Sequence, residues 1–162
     1  MGHALTMTFD RWVETAEALG ALGGVIAGQL RAGEAVCLTG PLGAGKSTLA
    51  RGLIRALTAP DEEVPSPTFT LVQLYASNAF PLAHFDLYRL KSADEAYEIG
   101  LDEALDEGVA VIEWPQRLEG ALPRDRLDIE ISLPSEGEPE GRRVRITGYG
   151  ALEDFEGRYG FE

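Results

Sequence analysis

The sequence predicts an α/β domain of three layers, with helices on both sides of a mixed, mainly parallel central sheet that carries a β-hairpin insertion. Three observations predict it. Residues 35–39 (Ala-Val-Cys-Leu-Thr) and 109–113 (Val-Ala-Val-Ile-Glu) are short apolar runs without alternation, the pattern of strands covered on both faces. The first run leads into a glycine-rich turn and then into a stretch with Leu49, Leu53, Ala56 and Leu57 at helical spacing. Residues 127–131 and 143–147 alternate apolar and polar, as half-exposed strands do.

Taken in order, residues 9–30 read as a helical region. Val13, Ala16, Leu19, Leu22, Ile26 and Leu30 form an apolar stripe, and Glu14 and Glu17 lie off it. Glycines at 20, 23, 24 and 28 lower helix propensity, so a break is expected near Gly23-Gly24. Residues 31–34 turn into the first buried strand. The helix opening at Lys46 is expected to end near Leu57, before an acidic connection at 59–63. Pro65 and Pro67 fix φ and remove two donors, which makes 64–70 a stiff extended loop. Residues 70–75 and 80–86 read as two strands joined by a turn at 76–79, and these form the hairpin. Ser92 and Glu95 have capping-box spacing and should start a short helix. A second short helix over 102–105 is stopped by Gly108, and Trp114-Pro115 ends the second buried strand. The alternating strands 127–131 and 143–147 are expected as a hairpin at the sheet edge, around an acidic, turn-rich segment at 134–141. One domain over 1–162 is expected, its core at about 33–148. Residues 151–162 carry no pattern that assigns them.

Composition bounds the function. The chain has 162 residues, 44% hydrophobic, with formal charge -13 and pI near 4.5. Sequence-independent binding to nucleic acid needs a basic surface, so direct contact with RNA or DNA is not expected. Lysine occurs only at Lys46 and Lys91, and Cys37 is the single cysteine, inside a predicted buried strand. That usage fits a reducing cytoplasm. No apolar run approaches the roughly 20 residues of a membrane span, and no basic-then-apolar segment marks a secretory signal.

The chemistry centres on Gly40-Pro41-Leu42-Gly43-Ala44-Gly45-Lys46-Ser47, followed by Thr48. A glycine, four residues, then Gly-Lys-Ser between a strand and a helix is the phosphate-loop pattern, so the predicted fold is P-loop NTPase-like. The glycines let backbone N–H groups turn toward an anion, and the helix N-terminus adds its positive dipole end. Lys46 would reach the β- and γ-phosphates and the Ser47 hydroxyl would take a place on Mg²⁺. Such sites add a carboxylate at the end of a neighbouring strand, and two positions qualify: Asp86 and Glu113, each closing an apolar run. Thr68 stands in the proline-stiffened loop, the slot where switch loops meet the γ-phosphate. His84 precedes Asp86 by two residues and shares a strand face with it, as a core histidine or a base. Arg89 would reach a phosphate or pair with Asp94 and Glu95, and Trp114 would pack beneath the site or face a partner.

Together these blocks resemble the TsaE family, also called YjeE. The resemblance lies in Leu42-Gly43-Ala44-Gly45-Lys46-Ser47, Ser66-Pro67-Thr68-Phe69-Thr70, His84-Phe85-Asp86-Leu87-Tyr88-Arg89 and Ile112-Glu113-Trp114-Pro115, with Leu122-Pro123 before the late strand. It spans about residues 33–131, and the order and spacing of the blocks carry it. The resemblance implies an ATPase required for making threonylcarbamoyladenosine in tRNA, with ATP and Mg²⁺ bound. It implies that the group transfer belongs to a partner pair, TsaD and TsaB, and that tRNA is met only through these partners. By position, Pro41 to Lys46 wrap the phosphates, Ser47 and Glu113 ligate Mg²⁺, Asp86 is the Walker-B-like aspartate and Thr68 the switch-like threonine. Asp86 would support the metal or orient the attacking water. Two positions depart. Pro41 stands where the family usually has Asp, which removes a carboxylate and an N–H; Ser47 stands where Thr is frequent, which keeps the hydroxyl. The family's N-terminal segment often carries a threonine near the base. Thr15 is the candidate, with a spacing to Gly40 about one helical turn longer. A small-molecule kinase and a nucleotide sensor are the competing classes. A kinase calls for a lid and a clamp of arginines; no clear lid insert follows Leu105, and residues 84–89 do not form a kinase signature.

Overall fold

The computed structural model describes residues 8–155. Among them, seven strands form one sheet in the order β1-β7-β6-β2-β5-β4-β3. The middle strands β6 (Arg126–Ser132), β2 (Ala35–Thr39), β5 (Val109–Glu113) and β4 (Pro81–Asp86) run parallel. The flanks are antiparallel: β3 (Val72–Ala76) beside β4, and β7 (Arg142–Tyr149) and β1 (Thr8–Val13) beyond β6. The expected mixed sheet and hairpin insertion are therefore present.

Helices cover both faces. α1 (Ala16–Ala27) and α2 (Lys46–Leu57) pack on one side through Leu19, Leu22, Ile26, Leu49, Leu53 and Ile54. The short helices α3 (Asp94–Glu98) and α4 (Leu101–Glu107), with the 3-10 turn Pro115–Leu118, close the other side over Phe85, Leu87, Ala96, Leu101 and Ile112. Every residue of β5 is buried, as expected of a strand covered on both faces. No helix among the described residues is long and apolar enough to cross a membrane.

Four expectations need correction. The region 9–30 is not helical throughout: Thr8–Val13 is a strand paired antiparallel to β7, and the helix starts after Thr15, whose side chain accepts the Ala18 N–H. The helix does not break at Gly23-Gly24. A Cβ at Gly23 would fall 2.3 Å from the Leu49 carbonyl oxygen, and one at Gly52 would fall 2.0 Å from that of Gly20. The glycines let α1 and α2 meet backbone to backbone, and this close packing overrides the propensity cost. The late hairpin is not the sheet edge, because β1 covers β7. Ser92 does not cap α3 with its side chain; Ala93 holds the N-cap position, and Glu95 instead accepts the Lys91 N–H at 3.1 Å. The tail contributes too. Residues 150–152 form a 3-10 turn, and Leu152 and Phe155 are fully buried against the sheet. Residues 156–162 of the unassigned tail lie outside the described residues.

Candidate phosphate-binding site

The site lies at the C-terminal ends of β2, β4 and β5, where parallel α/β sheets present their ligand crevice. The glycine loop leaves β2 and enters α2. Gly40 and Gly45 hold φ at 149° and 117°, values that L side chains rarely adopt. A Cβ at Gly40 would also lie 2.4 Å from the Ile131 carbonyl oxygen. Gly45 is the N-cap of α2 and offers no side-chain cap, so the first turn keeps its N–H groups open. Pro41 and Leu42 are exposed at the loop tip, Ala44 is buried, and Thr48 is half-buried in the first turn of α2. The Ala44 N–H donates to the Pro41 carbonyl at 3.1 Å and tightens the turn.

Lys46 is the buried cation of the site, 6% exposed. Its ammonium donates to the Gly40 carbonyl and, at 3.4 Å, to that of Pro41, and it sits 4.1 Å from the centre of the Trp114 ring. Burial pushes its pKa below the usual lysine value, and the Glu113 and Asp86 carboxylates act in the opposite direction. Those carboxylates are themselves buried, at 3% and 5% exposed. They stand side by side because β4 and β5 pair Asp86 with Glu113 in register.

Each carboxylate is held from both oxygens. Asp86 accepts the Tyr88 N–H on Oδ1 at 3.0 Å and the Thr68 hydroxyl on Oδ2 at 3.2 Å. Thr68 shares a further hydrogen bond with Ser66 at 2.7 Å. Glu113 meets His84 Nε2 through Oε2 at 2.7 Å, and its Oε1 accepts from the Ser47 hydroxyl at 3.5 Å. The His84 ring is buried, and its Nδ1 has no hydrogen-bond partner among the described residues. Two residues beside the site carry backbone strain. Trp114 and Leu71 have φ of 61° and 70°, conformations that cost on the order of 1–3 kcal/mol each and persist only where the surroundings impose them. Trp114 is clamped between Lys46 and the Tyr88 ring, whose centroid lies 4.9 Å away. The Leu71 carbonyl accepts the Asp86 N–H at 2.9 Å.

Lys46, Ser47, Thr68, Asp86 and Glu113, named from the sequence, thus converge, with His84 and Trp114 against them. Arg89 does not join them: its guanidinium lies 5.1 Å from the centre of the exposed Phe69 ring. On the other side of the loop a cleft of about 530 Å³ is lined by Thr15, Leu19, Gly43, Gly45, Thr48 and Arg142, among others. Thr15 is therefore beside the loop, despite its longer spacing in sequence. Arg142 escaped the sequence reading. It carries no motif, and only the fold brings it to a loop some hundred residues earlier.

The donor set suits a polyphosphate with a hard cation. Ser47 and the two carboxylates offer only oxygen, and together they are too few to complete an octahedral shell, which leaves places for phosphate oxygens and water. Among the described residues no three of His, Cys, Asp and Glu gather into a metal site of their own.

A family model described as "Threonylcarbamoyl adenosine biosynthesis protein TsaE" matches residues 13–144. Similar curated proteins bear the name tRNA threonylcarbamoyladenosine biosynthesis protein TsaE. The one from Streptomyces coelicolor is 41% identical over 133 residues, which is 80% of this chain and 89% of that protein. The one from Bacillus subtilis is 38% identical over 119 residues, 73% of this chain and 72% of the relative. The Rickettsia felis protein is 35% identical over 131 residues, 81% of this chain and 77% of that one. The crystal structure of Bacillus subtilis YdiB superposes with a TM-score of 0.76 at 27% identity, over 95% of this chain and 93% of that chain. The strand-ordered carboxylate pair, the glycine loop and these matches agree: the chain belongs to the TsaE family of threonylcarbamoyl adenosine biosynthesis proteins.

Proposed function

We propose that this chain is an ATPase subunit of the cytoplasmic machinery that makes threonylcarbamoyladenosine in tRNA, binding and hydrolysing ATP with Mg²⁺ in association with the TsaD–TsaB pair. It does not itself transfer the threonylcarbamoyl group. The observation that carries the reading is the convergence of buried Lys46, Asp86 and Glu113 at the open N-terminus of α2. A buried cation near two buried carboxylates, beside uncapped helix amides, is an arrangement for polyphosphate with a divalent metal.

The residues divide the work. The loop from Pro41 to Lys46 surrounds the phosphates, and Lys46 leaves its contacts with the loop carbonyls to neutralise their charge. Ser47 and Glu113 hold the metal. Bound Mg²⁺ supplies charge neutralisation on the phosphate oxygens. Asp86, tied to Thr68, supports that metal or orients the attacking water. Thr68 links the γ-phosphate to the loop of residues 64–70, where Phe69 is 82% exposed; Leu42, 77% exposed, stands on the glycine loop. Two exposed apolar side chains on the two loops that flank the site suit a partner that docks over it and completes catalysis in trans. The charge of -13 suits contact with tRNA through that partner rather than directly.

The test is equilibrium binding of a fluorescent ATP analogue with and without Mg²⁺, for the wild type and for Lys46→Ala. The expected result is magnesium-enhanced binding that weakens at least about tenfold in the variant, the loss of one charge-assisted contact or more. Equal affinity of both proteins would overturn the assignment of the loop.

A further inference from the structure

The glycine loop is held from the far side of the fold. Arg142, the first residue of β7, donates through Nε to the Ala44 carbonyl at 2.8 Å and through Nη2 to the Gly43 carbonyl at 3.2 Å. Its Nη1 donates to the Gly141 carbonyl at 2.7 Å. Three N–H groups of a rigid planar fork thus rest on three carbonyl oxygens. The base of the side chain is fixed as well. Arg142 pairs with Val13 of β1, and Gly141 packs so tightly that a Cβ there would lie 2.7 Å from the Val13 carbonyl oxygen and 2.8 Å from the Trp12 ring. The neighbouring Arg143 does something different: it pairs with Glu138 at 2.7 Å, as expected of the opposite strand face.

This contact bears on the loop's amides. In a trans peptide the C=O and N–H point in opposite directions. Holding the Ala44 carbonyl toward β7 therefore points the Gly45 N–H away from β7, into the loop. Each of the two held peptides has a glycine at one end, Gly43 or Gly45, both at positive φ, so a flip that turned an oxygen toward the phosphates would meet reduced steric resistance. A fixed guanidinium on the Gly43 and Ala44 oxygens opposes that flip.

We propose that Arg142 is a positioning residue for the phosphate loop, holding the Gly43 and Ala44 carbonyls outward so that the loop amides are arranged before the polyphosphate arrives. The proposal deepens the nucleotide reading above and rests on it. A preorganised anion site gains affinity because ordering is not charged to binding.

The experiment uses the full chain as wild type, Arg142→Lys, Arg142→Gln and, as a strand control, Arg143→Lys. Calorimetry reads affinity for Mg²⁺·ATP and for inorganic tripolyphosphate, and hydrogen exchange reads the ligand-free protein. A lysine keeps the charge but lacks the fork. Both Arg142 variants are therefore expected to weaken both ligands in parallel, by about tenfold, the equivalent of one net hydrogen bond. Exchange is expected to accelerate over residues 40–46 in both, and Arg143→Lys to match the wild type. Unchanged affinity in both Arg142 variants would overturn the proposal. So would wild-type affinity in Arg142→Lys alone, which would mean that charge suffices, or a loss confined to ATP, which would place the contact on the nucleoside. Faster exchange along β1 and β7 with the loop unaffected would reduce Arg142 to a strand residue and overturn it too. If the wild type and Lys46→Ala both fail to bind either ligand, the nucleotide reading itself falls, and the exchange arm still reports whether Arg142 orders the loop.

Discussion

At the scale of single residues, the charged side chains of the site, Lys46, Asp86 and Glu113, are buried yet partnered. Glu113 is the clearest case. One oxygen meets His84 and the other faces Ser47, so the imidazole fixes the carboxylate's orientation. Removing that donor leaves a buried carboxylate oxygen without a partner, at a cost of about 1–3 kcal/mol. His84→Leu is expected to lose that much in urea denaturation, and His84→Gln, which keeps an N–H donor, to lose less. Equal losses would contradict the positioning role. Cys37 offers a pH test. Burial first, then the Asp128 carboxylate, pushes its thiol up to about 12 from 9.0. The folded value lies above the unfolded one, so the stability linked to this thiol is complete below about pH 9 and is lost as pH rises toward about 12. A thiol reagent at pH 8 is expected to label Cys37 only after denaturation, measured by thiolate release. Much of this scale was legible in the sequence. Asp86 and Glu113 each end an apolar run, and strand register alone then sets them side by side. The His84–Glu113 contact was not legible, because it depends on which strands are neighbours. Arg142 was invisible for the same reason: its partners Ala44 and Gly43 lie 98 and 99 residues away in the chain.

At the scale of elements, local propensity and tertiary packing gave opposite answers in α1, and packing prevailed. The glycines that predicted a break are the means by which α1 and α2 approach. Gly52→Ala is expected to destabilise by about 1–3 kcal/mol, the range for overpacking a tight interface, and to lower the urea midpoint with little change in slope. Alanine raising the midpoint, as propensity alone predicts, would contradict the packing account. β1 was misread as helix because Val13 continues the apolar stripe of α1, and Val13 is also its one fully buried residue. An edge strand buried at one position carries almost no alternation, and its partner β7 lies near the other end of the chain. The strands β2, β4 and β5 were readable because burial on both faces leaves a continuous apolar run.

At the scale of the whole molecule, the sheet order places every piece of the candidate site on one edge. The glycine loop follows β2, Asp86 ends β4 and Glu113 ends β5, three strands that lie together in the sheet. The flanking strands β7 and β1 lack site carboxylates of this kind; they bring Arg142 to the loop from the opposite side. The site is thereby gripped at both ends, and what stays exposed around it includes Leu42, Phe69 and Tyr88. Exposed apolar groups beside a buried charge cluster suit a surface that a partner closes. The measurement that tests this central claim most directly is steady-state ATP hydrolysis by the purified chain, alone and with the TsaD–TsaB pair, with Lys46→Ala as control. The account predicts slow turnover alone, strong stimulation by the pair, and loss of that stimulation in the variant. No stimulation by a pair shown to be competent would contradict it and would direct attention to small-molecule phosphate acceptors.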